Sequence, residues 1–445
     1  MISFQFTYVE STMTERFDAV VIGAGIIGTS IAFSMSKAGW RVLVVDPLAG
    51  SGQGATSSSV AMVRTQYSTL EGSALAWEGF HCWQDWSGFL NLESDEPVAP
   101  FHLAGVLTFK TANNGFLEHQ LEFSRQLGIP FEFWSVSRLQ SLFPSWDLSS
   151  FGPPVISDDA DFGARSDAEL ESVFFPKGGY CPDPQLAAHN LQRAAEQHGA
   201  HFRFGEAVTG IDIKDGHVSA VTLSGGEEIS CRVAVNAAGP HGQSINALVD
   251  PNGQQRIRTR VVRHEVAHLR CADAATSDAS RIMLYDTDIG GYIRADTGDS
   301  ILAGSLGARG EVELAADPDD FDRNLSPQSI EPLYRLAQRI PALGIPNTLS
   351  GVADLWDVSD DWIPIYDCAD VAGFYMAIGT SGNQFKTAPV VGELMTALIS
   401  ACEQGTDHDQ DPISFRLQRT GHEINLGFFS RNREPNPASS LSVLG

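Results

Sequence analysis

Residues 18–46 read DAVVIGAGIIGTSIAFSMSKAGWRVLVVD, and this stretch decides the fold. It begins with a short apolar run that ends at Ile22, continues through a Gly-x-Gly-x-x-Gly turn at residues 23–28, and enters a helix-length segment that Gly39 closes. A second apolar run then ends at Asp46. Strand, glycine turn, helix, strand and acid follow in the order that a dinucleotide-binding βαβ unit requires. The stretch therefore predicts an α/β protein with a Rossmann-like nucleotide-binding domain.

Each glycine of the turn has its own expected task. Gly23 allows the tight turn, Gly25 lets the backbone approach a pyrophosphate, and Gly28 lets the helix pack close to the strand. The first helical N–H groups attract phosphate, and Asp46 would accept hydrogen bonds from ribose hydroxyls. The alternative is a glycine-rich turn in another α/β fold. The motif itself does not choose between FAD and NAD(P).

Composition narrows the class of protein. A chain of 445 residues with 43% hydrophobic and 19% charged residues is long enough for two domains with a sizeable core. The net charge of -26 argues against nucleic acid or an anionic membrane surface as a partner, because either would require a basic face.

The cysteines and the first residues indicate the cellular compartment in which the protein is expected. Six cysteines are scattered without paired spacing, which predicts neither a disulfide framework nor a cysteine metal site, and a reducing cytoplasm is expected. The apolar stretch 17–39 contains the glycine turn, so no membrane span is expected. Residues 1–12 lack the features of a signal peptide and are expected to form a disordered extension, with Met13 as an alternative start.

The rest of the chain predicts a discontinuous arrangement of two domains. Segments 15–95, 170–250 and 350–430 are assigned to the nucleotide-binding domain, and segments 96–169 and 251–349 to an inserted substrate domain built on an antiparallel sheet. Residues 1–14 and 431–445 are polar ends that we expect to be flexible.

Several motifs along the chain resemble the D-amino acid oxidase and sarcosine oxidase family of FAD-dependent oxidoreductases. They are the glycine turn with Asp46, the small-residue loop 54–59 before Arg64, the Asn-Ala-Ala-Gly stretch 236–239, and Gly-Thr-Ser-Gly-Asn-Gln-Phe-Lys at 379–386. The last motif is close to a stretch of monomeric sarcosine oxidases. The resemblance covers nearly the whole length and points to sarcosine oxidase-like members.

The resemblance implies an extended FAD with its adenine end on the βαβ unit. The residues that it assigns to the cofactor, together with those of the glycine turn, are Gly23, Gly25, Ile26, Ile27, Gly28, Asp46, Ala55, Thr56, Ser57, Val208, Ala238, Gly239, Gly379, Gly382, Asn383, Gln384, Phe385 and Lys386. Asp354 stands where monomeric sarcosine oxidases carry the cysteine that bonds the flavin. The resemblance therefore predicts FAD that is not covalently bound.

The same resemblance assigns Arg64 and Lys386 to the carboxylate of the substrate. A guanidinium binds a carboxylate through two hydrogen bonds and a lysine adds a second positive charge, whereas a structural salt bridge is the alternative for Arg64. Trp356 stands in place of an active-site tyrosine, where it would wall the amine pocket by cation–π contact; ordinary core packing is the alternative.

His264-Glu265-Val266-Ala267-His268 matches the zinc-protease signature His-Glu-x-x-His. The signature needs a helix, but the flanking residues alternate like a strand, in which the two histidines would lie about 13 Å apart. We therefore predict no metal site. The resemblance places this strand in the substrate-domain sheet, with His264 on the active-site face either as a catalytic group or as a hydrogen-bonded structural histidine.

Together these features predict an FAD-dependent oxidoreductase that oxidises the C–N bond of a small amino acid, preferably a secondary or N-methylated one such as sarcosine or dimethylglycine. A glycine, D-amino acid or 2-hydroxy acid oxidase or dehydrogenase is the alternative within the enzymes. A flavin-binding assembly or scaffold protein without turnover is the alternative of another class. The electron acceptor and a partner subunit stay open.

Overall fold

The computed structural model describes residues 16–444, apart from 94–95, 112–113, 167, 169 and 271–281. The predicted extension at residues 1–12, the alternative start at Met13, and Cys271 lie outside the described residues.

A six-stranded sheet carries the glycine turn. Five of its strands run parallel, and Ile365–Cys368 pairs antiparallel with Phe374–Ile378 at one edge. In spatial order the strands are Ile365–Cys368, Phe374–Ile378, Val233–Asn236, Ala19–Ile22, Val42–Asp46 and His201–Phe204. This sheet is the predicted Rossmann-like layer, assembled from the beginning, the middle and the end of the chain.

Both faces of the sheet are covered, which explains its continuous apolar runs. Val21 and Val44 point to a core shared with the helices. Val20 and Leu43 point the other way, into a core shared with a three-stranded antiparallel sheet. That second sheet consists of Val208–Lys214, His217–Leu223 and Glu228–Ser230.

The first helix, Ile26–Lys37, is buried on most of its surface. It packs against helices Pro184–Gln197 and Ala388–Glu403. The approach is close, because a Cβ at Gly392 would lie 2.3 Å from the carbonyl oxygen of Ser30. The described α-helices are Ile26–Lys37, Leu70–Gln84, Trp86–Leu90, Phe116–Leu127, Val136–Leu142, Pro184–Gln197, Gly242–Asn246, Glu331–Arg339 and Ala388–Glu403, and the described 3-10 helices are Gly239–His241, Pro327–Ile330 and Leu426–Phe429.

The larger sheet has nine strands and is antiparallel except where Met283–Asp286 runs parallel to Val106–Lys110. Its other strands are Glu132–Trp134, Glu171–Phe175, Thr259–Arg270, Gly291–Asp296, Ser300–Ser305, Leu314–Ala315 and Ser350–Ser359. Two smaller sheets complete the fold, one of Met62–Val63, Gly179–Tyr180 and His102–Leu103, the other of Ser414–Arg416 and Glu423–Asn425. The fold is the predicted α/β architecture with a parallel and a largely antiparallel sheet.

Two strands of the larger sheet lie outside the segments that the sequence assigns to the substrate domain. Glu171–Phe175 pairs with Val106–Lys110, and Ser350–Ser359 pairs with Thr259–Arg270 along ten residues. Sequence cannot show such strand partners, because they are set by register and not by local pattern.

Residues 431–444, which the sequence predicts as a flexible end, instead pack against the rest of the chain. The Arg431 guanidinium donates to Asp367 at 3.0 Å and to Asp409 at 2.7 Å, and the Arg433 guanidinium donates to Asp361 at 2.7 Å. These acids are distant in sequence from the arginines, so composition alone gives no sign of the contacts. Among the described helices, none has the length and apolar character needed to cross a membrane.

Candidate active site

The glycine turn forms a tight cradle at the carboxyl end of the strand Ala19–Ile22. Gly23 has a φ of 106°, and a Cβ there would lie 2.5 Å from the carbonyl oxygen of Ala237. A Cβ at Gly28 would lie 1.9 Å from the carbonyl oxygen of Gly23. By contrast, a Cβ at Gly25 would approach only the Thr56 hydroxyl, at 3.2 Å. Gly23 and Gly28 are therefore required by packing, whereas Gly25 leaves the backbone open to a ligand.

The start of the first helix has the properties of a phosphate site. No side chain caps it at Gly25, and its first turn contains no acidic residue. The Ile26 N–H donates to the Thr56 hydroxyl at 3.0 Å. Such an N-terminus directs backbone N–H groups and positive charge towards an anion. The loop that supplies Thr56 lies directly against it.

Asp46 lies beside this helix start at the end of the neighbouring strand. Its carboxylate accepts from the backbone N–H of Ala24 at 2.7 Å and from that of Leu48 at 2.8 Å. Burial raises the pKa of Asp46, and the hydrogen bond from Ala24 opposes that shift. The cradle, the uncapped helix start and the acid fit the adenosine and pyrophosphate parts of FAD.

The other residues predicted to contact the cofactor lie in separate places. Ala55 and Ser57 belong to the turn that carries Thr56. Gly239 has a φ of 54° with open space where a Cβ would stand, directly after the strand Val233–Asn236. The Ala238 N–H donates to the Asn236 side chain at 3.2 Å. Val208 begins the small antiparallel sheet and is buried there.

The loop 379–387 is shaped by backbone conformations that favour glycine. Gly379 and Gly382 have φ values of 67° and 66°. A Cβ at Gly382 would lie 2.3 Å from the indole of Trp356, so only glycine allows this contact. The Thr380 hydroxyl donates to the buried Asp357 carboxylate at 2.5 Å, which ties the loop to the strand that carries Trp356.

Helix Leu70–Gln84 supports the same loop from the other side. A Cβ at Gly79 would lie 2.3 Å from the Lys386 carbonyl oxygen, and that oxygen accepts from the Trp83 indole N–H at 2.9 Å. Phe385 stacks on Trp83 with ring centroids 4.8 Å apart. The side-chain oxygen of Gln384 accepts a hydrogen bond from the Thr387 hydroxyl at 2.6 Å. The backbone around Lys386 is therefore fixed by packing and by hydrogen bonds.

Lys386 is 3% exposed. Among the described residues, its ammonium has only neutral hydrogen-bond partners. It donates to the Tyr67 hydroxyl at 2.9 Å and to the Asn383 carbonyl oxygen. The Tyr67 hydroxyl in turn donates to the same carbonyl oxygen at 2.7 Å. Burial, and then the charge of Arg64, hold the pKa of Lys386 well below its usual value.

Arg64 is 1% exposed and lies next to this group. Its guanidinium lies 4.0 Å from the ring centroid of Tyr67 and donates to the carbonyl oxygens of Gln66 and, at 2.7 Å, Val443. The Nε of Arg64 has no hydrogen-bond partner among the described residues. Within the described part of the chain, no carboxylate forms an ion pair with Arg64 or Lys386. The structural salt bridge that is the alternative for Arg64 is therefore not found among the described residues.

An aromatic cleft lies beside the two cations. Its walls include Trp356, Tyr285, Tyr292 and Phe385, and Lys386 and Val443 also line it. The cleft has a volume of about 40 Å³, which is room for only a few water molecules.

His264 forms the outer layer of the cleft. Its ring stacks on Trp356 with centroids 3.7 Å apart, and its Nε2 lies 3.4 Å from the Tyr292 hydroxyl. Burial lowers the pKa of His264 to about 3. The ring is therefore neutral near pH 7 and serves as a wall and hydrogen-bond partner, not as a charged acid.

A buried ion cluster holds the two cleft tyrosines. Tyr285 and Tyr292 are direct neighbours across two antiparallel strands. In the turn that joins these strands, Asp286 and Asp288 accept from the Arg339 guanidinium at 2.8 and 2.9 Å. All three charged side chains are buried, so removing one of them would leave an unpaired charge in the core.

The motif His264-Glu265-Val266-Ala267-His268 lies in the strand Thr259–Arg270, which confirms the prediction of an extended segment. Glu265 accepts from the Ser326 hydroxyl at 2.8 Å, and His268 lies 3.3 Å from Asp296. Over the described ranges these residues do not form a group that could share a metal ion. Asp367, Cys368 and Asp409 do lie close enough, but Arg431 already gives both carboxylates a cationic partner.

The structure thus brings Lys386 and Trp356 to one cleft, and Arg64 and His264 contact residues that line it. The sequence did not identify Tyr67, Tyr285, Tyr292 or Val443 as neighbours of that cleft. Tyr67 follows Arg64 by three residues, and the two other tyrosines flank a hairpin turn at Gly290 and Gly291, so local signals existed for all three. Val443 has no such signal.

The structure combines a Rossmann-like glycine turn, a second, largely antiparallel sheet, and an aromatic cleft beside two buried cations. This combination is typical of nucleotide-dependent oxidoreductases. The family model described as FAD dependent oxidoreductase, DAO, matches residues 18–398, and the chain belongs to that family. FAD dependence and oxidoreductase activity follow from this membership, as the sequence predicts.

Curated relatives and a solved structure agree with this assignment. The chain is 24% identical over 421 residues to FAD-dependent oxidoreductase domain-containing protein 1 of Bos taurus, covering 86% of this chain and 81% of the relative. It is 24% identical over 389 residues to N-methyl-L-tryptophan oxidase of Yersinia pestis (strain Pestoides F), covering 85% and 93%. L-proline dehydrogenase from P. horikoshii has a similar fold, with a TM-score of 0.73, 19% identity, and coverage of 94% and 98%.

Proposed function

We propose that this enzyme oxidises the C–N bond of a small amino acid, preferably one with a secondary or N-methylated amine. One observation carries the proposal: Arg64 and Lys386 are buried side by side without an anionic partner in the described structure. Burying charge is costly unless a counter-charge arrives, and the carboxylate of an amino acid supplies one. The Yersinia relative is an N-methyl-L-tryptophan oxidase, and its similarity to this chain supports the preferred substrate class.

The aromatic cleft suits the amine end of such a substrate. Arg64 and Lys386 bind the carboxylate, so the adjacent Cα and nitrogen extend towards Trp356 and Tyr292. These rings exclude water and favour an alkylated amine by contact with their faces. The neutral His264 adds no charge that would repel the amine.

The reaction requires positioning and no strong base. Bound FAD would supply the two-electron oxidation by accepting a hydride at its N5. The substrate would give up that hydride from the carbon next to nitrogen while the nitrogen lone pair forms the C=N bond, and water would then hydrolyse the imine. Arg64 and Lys386 contribute by holding that carbon in one orientation, which is worth several orders of magnitude in rate.

Anaerobic spectroscopy of the yellow protein tests the reaction. N-methyl amino acids, glycine, D-amino acids and 2-hydroxy acids are mixed with it in turn while the flavin absorbance is followed. We expect N-methyl amino acids to bleach the flavin fastest. Bleaching only by glycine, by D-amino acids or by 2-hydroxy acids would replace N-methyl amino acids as the proposed substrate class. If no compound bleaches the flavin while FAD is bound, a non-catalytic flavoprotein is favoured.

Substitution of Arg64 tests the binding assignment. In Arg64→Met the apolar stem is kept and the charge is lost, so we expect KM to rise by about 100-fold or more while FAD stays bound. Arg64→Lys should recover part of the affinity, because it restores the charge without the two-pronged geometry. The control is Arg41→Met, which alters an exposed arginine at the other end of the glycine-turn unit. Unchanged KM in Arg64→Met would remove this residue from the site.

Readmitting air to the reduced enzyme identifies the acceptor. Fast return of the flavin absorbance indicates an oxidase. Slow return indicates a dehydrogenase that passes electrons to a quinone or to an electron-transfer protein, for which a partner subunit is one route.

A further inference from the structure

The segment 439–444 lies directly over the proposed carboxylate site. Its Val443 carbonyl oxygen accepts from Arg64 Nη2 at 2.7 Å, and Val443 lines the aromatic cleft. The Ser440 N–H donates to the Ser68 hydroxyl at 3.1 Å, close to the same arginine in sequence. A backbone oxygen from the far end of the described chain thus accepts a hydrogen bond from one amino group of the Arg64 guanidinium.

Segment 439–444 is held to the rest of the protein by hydrogen bonds, whereas residues 431–433, just before it, are held by buried ion pairs. Arg431 and Arg433 hold residues 431–433 through buried ion pairs with acids of the core. Segment 439–444 donates or accepts hydrogen bonds with Ser68 and Arg64, and its two buried side chains are Ser439, which is 8% exposed, and Leu444, which is 7% exposed. Its other hydrogen bonds lie within the segment or reach Asn436.

The cleft in this arrangement is narrow, with a volume of about 40 Å³ that accommodates a few water molecules. Val443 is one of the residues that limit it. Movement of residues 439–444 would enlarge the cleft and free Arg64 Nη2, without disturbing the ion pairs of Arg431 and Arg433.

We propose that residues 439–444 form a displaceable strap, in which the Val443 carbonyl holds the place of a substrate carboxylate oxygen until substrate releases it. This inference rests on the proposed function, since it takes Arg64 as the carboxylate ligand. A neutral carbonyl satisfies a hydrogen bond of the guanidinium but leaves its charge uncompensated. A carboxylate satisfies both, so it outcompetes the strap. The strap keeps the empty site closed to water and anions.

The test compares two leucines of the strap that differ in burial. Leu444→Ser removes the buried anchor, whereas Leu441→Ser changes a side chain that is 58% exposed and serves as the matched control. Sodium acetate is the probe, titrated into the FAD-loaded enzyme against sodium chloride of equal ionic strength. Flavin absorbance reports acetate binding, and hydrogen exchange measured by mass spectrometry reports the amide protection of residues 437–444.

We expect acetate to increase hydrogen exchange in residues 437–444 of the unmodified enzyme and of Leu441→Ser. Leu444→Ser should show high exchange without acetate and should bind acetate about tenfold more tightly, because the strap competes less. If acetate binds all three proteins equally and leaves the exchange unchanged, the strap is a fixed wall and the inference is overturned. If acetate binds none of them, the assignment of Arg64 as carboxylate ligand fails, and the strap inference fails with it.

Discussion

The two buried cations differ in how they respond to pH. Arg64 keeps its charge throughout the working range of proteins, because the guanidinium is so basic. Burial and the neighbouring Arg64 lower the pKa of Lys386, so its ammonium loses the proton at a lower pH than an exposed lysine does. Of the two cations, only Lys386 can therefore make carboxylate binding depend on pH.

For Lys386 the direction of the effect follows from its charge. Acetate stays ionised above neutral pH and binds the ammonium form better than the neutral amine. Its affinity is therefore full below the lowered pKa of Lys386 and falls as the pH rises through it, by up to about tenfold per pH unit. In Lys386→Met we expect weaker acetate binding without this alkaline decline. Titrations of flavin absorbance at several pH values measure it.

The control for this prediction is Lys37→Met, at the exposed end of the first helix. It should keep both the affinity and the pH profile. An alkaline decline that persists in Lys386→Met would assign the titration to another group.

At the scale of elements, different glycines of the turn serve packing and ligand binding. A Cβ at Gly28 meets the backbone of Gly23, so Gly28→Ala would disturb the contact between helix and strand. A Cβ at Gly25 meets only the movable Thr56 hydroxyl but would project where the pyrophosphate approaches.

Gly25→Ala should therefore fold and bind FAD poorly. We expect its dissociation constant for FAD to rise by about tenfold or more, with the melting temperature of the FAD-free protein nearly unchanged. Gly28→Ala should lower that melting temperature as well. Gly344→Ala is the control, because it places a Cβ in open space on an exposed loop. Equal FAD affinity in Gly25→Ala would argue against this turn as the pyrophosphate site.

The larger sheet contributes a second element-scale effect. Trp356 reaches the cleft because its strand pairs with Thr259–Arg270 in a register that sets it opposite Val262, with His264 two residues further on. A shift of the Trp356 strand by one residue would turn its indole to the other face of the sheet, away from His264. The stack of His264 on Trp356 therefore depends on strand pairing and not on either residue alone.

At the scale of the whole molecule, the mode of FAD attachment depends on residues far apart in the chain. Asp354 accepts from the Ser58 hydroxyl at 2.5 Å, so the small-residue loop and the strand Ser350–Ser359 meet there. A carboxylate cannot form the thioether bond to flavin that a cysteine forms. Three of the five described thiols, those of Cys82, Cys181 and Cys231, are buried, and burial raises the pKa of each, which makes them poor nucleophiles.

We therefore expect FAD to dissociate when the protein is precipitated with acid. The yellow colour should pass into the supernatant, and the mass of the denatured chain should equal that of the polypeptide. A pellet that keeps the colour, with added flavin mass on the chain, would contradict non-covalent binding.

The sequence by itself determined the nucleotide-binding half of this protein. The strand, glycine turn, helix and acid of residues 18–46 are local neighbours, and their spacing alone specifies the unit that the structure contains. Local alternation of residues likewise predicted the strand that carries His264, whereas the glycines of the loop 379–386 were assigned through the family resemblance. A single side chain can also decide where an element ends: helices Leu70–Gln84 and Trp86–Leu90 are divided at Asp85, whose carboxylate accepts from the Gly88 N–H and caps the second helix.

Only the tertiary structure decided the cleft. Arg64, Tyr285, Trp356, Lys386 and Val443 come from five separate parts of the chain, and their meeting depends on strand register and long-range packing. The absence of a carboxylate partner for Arg64 and Lys386 in the described structure is likewise invisible in an acidic sequence, because composition counts charges without pairing them. The packing of residues 431–444 has the same cause, since its arginines find acids that are remote in sequence but close in the fold.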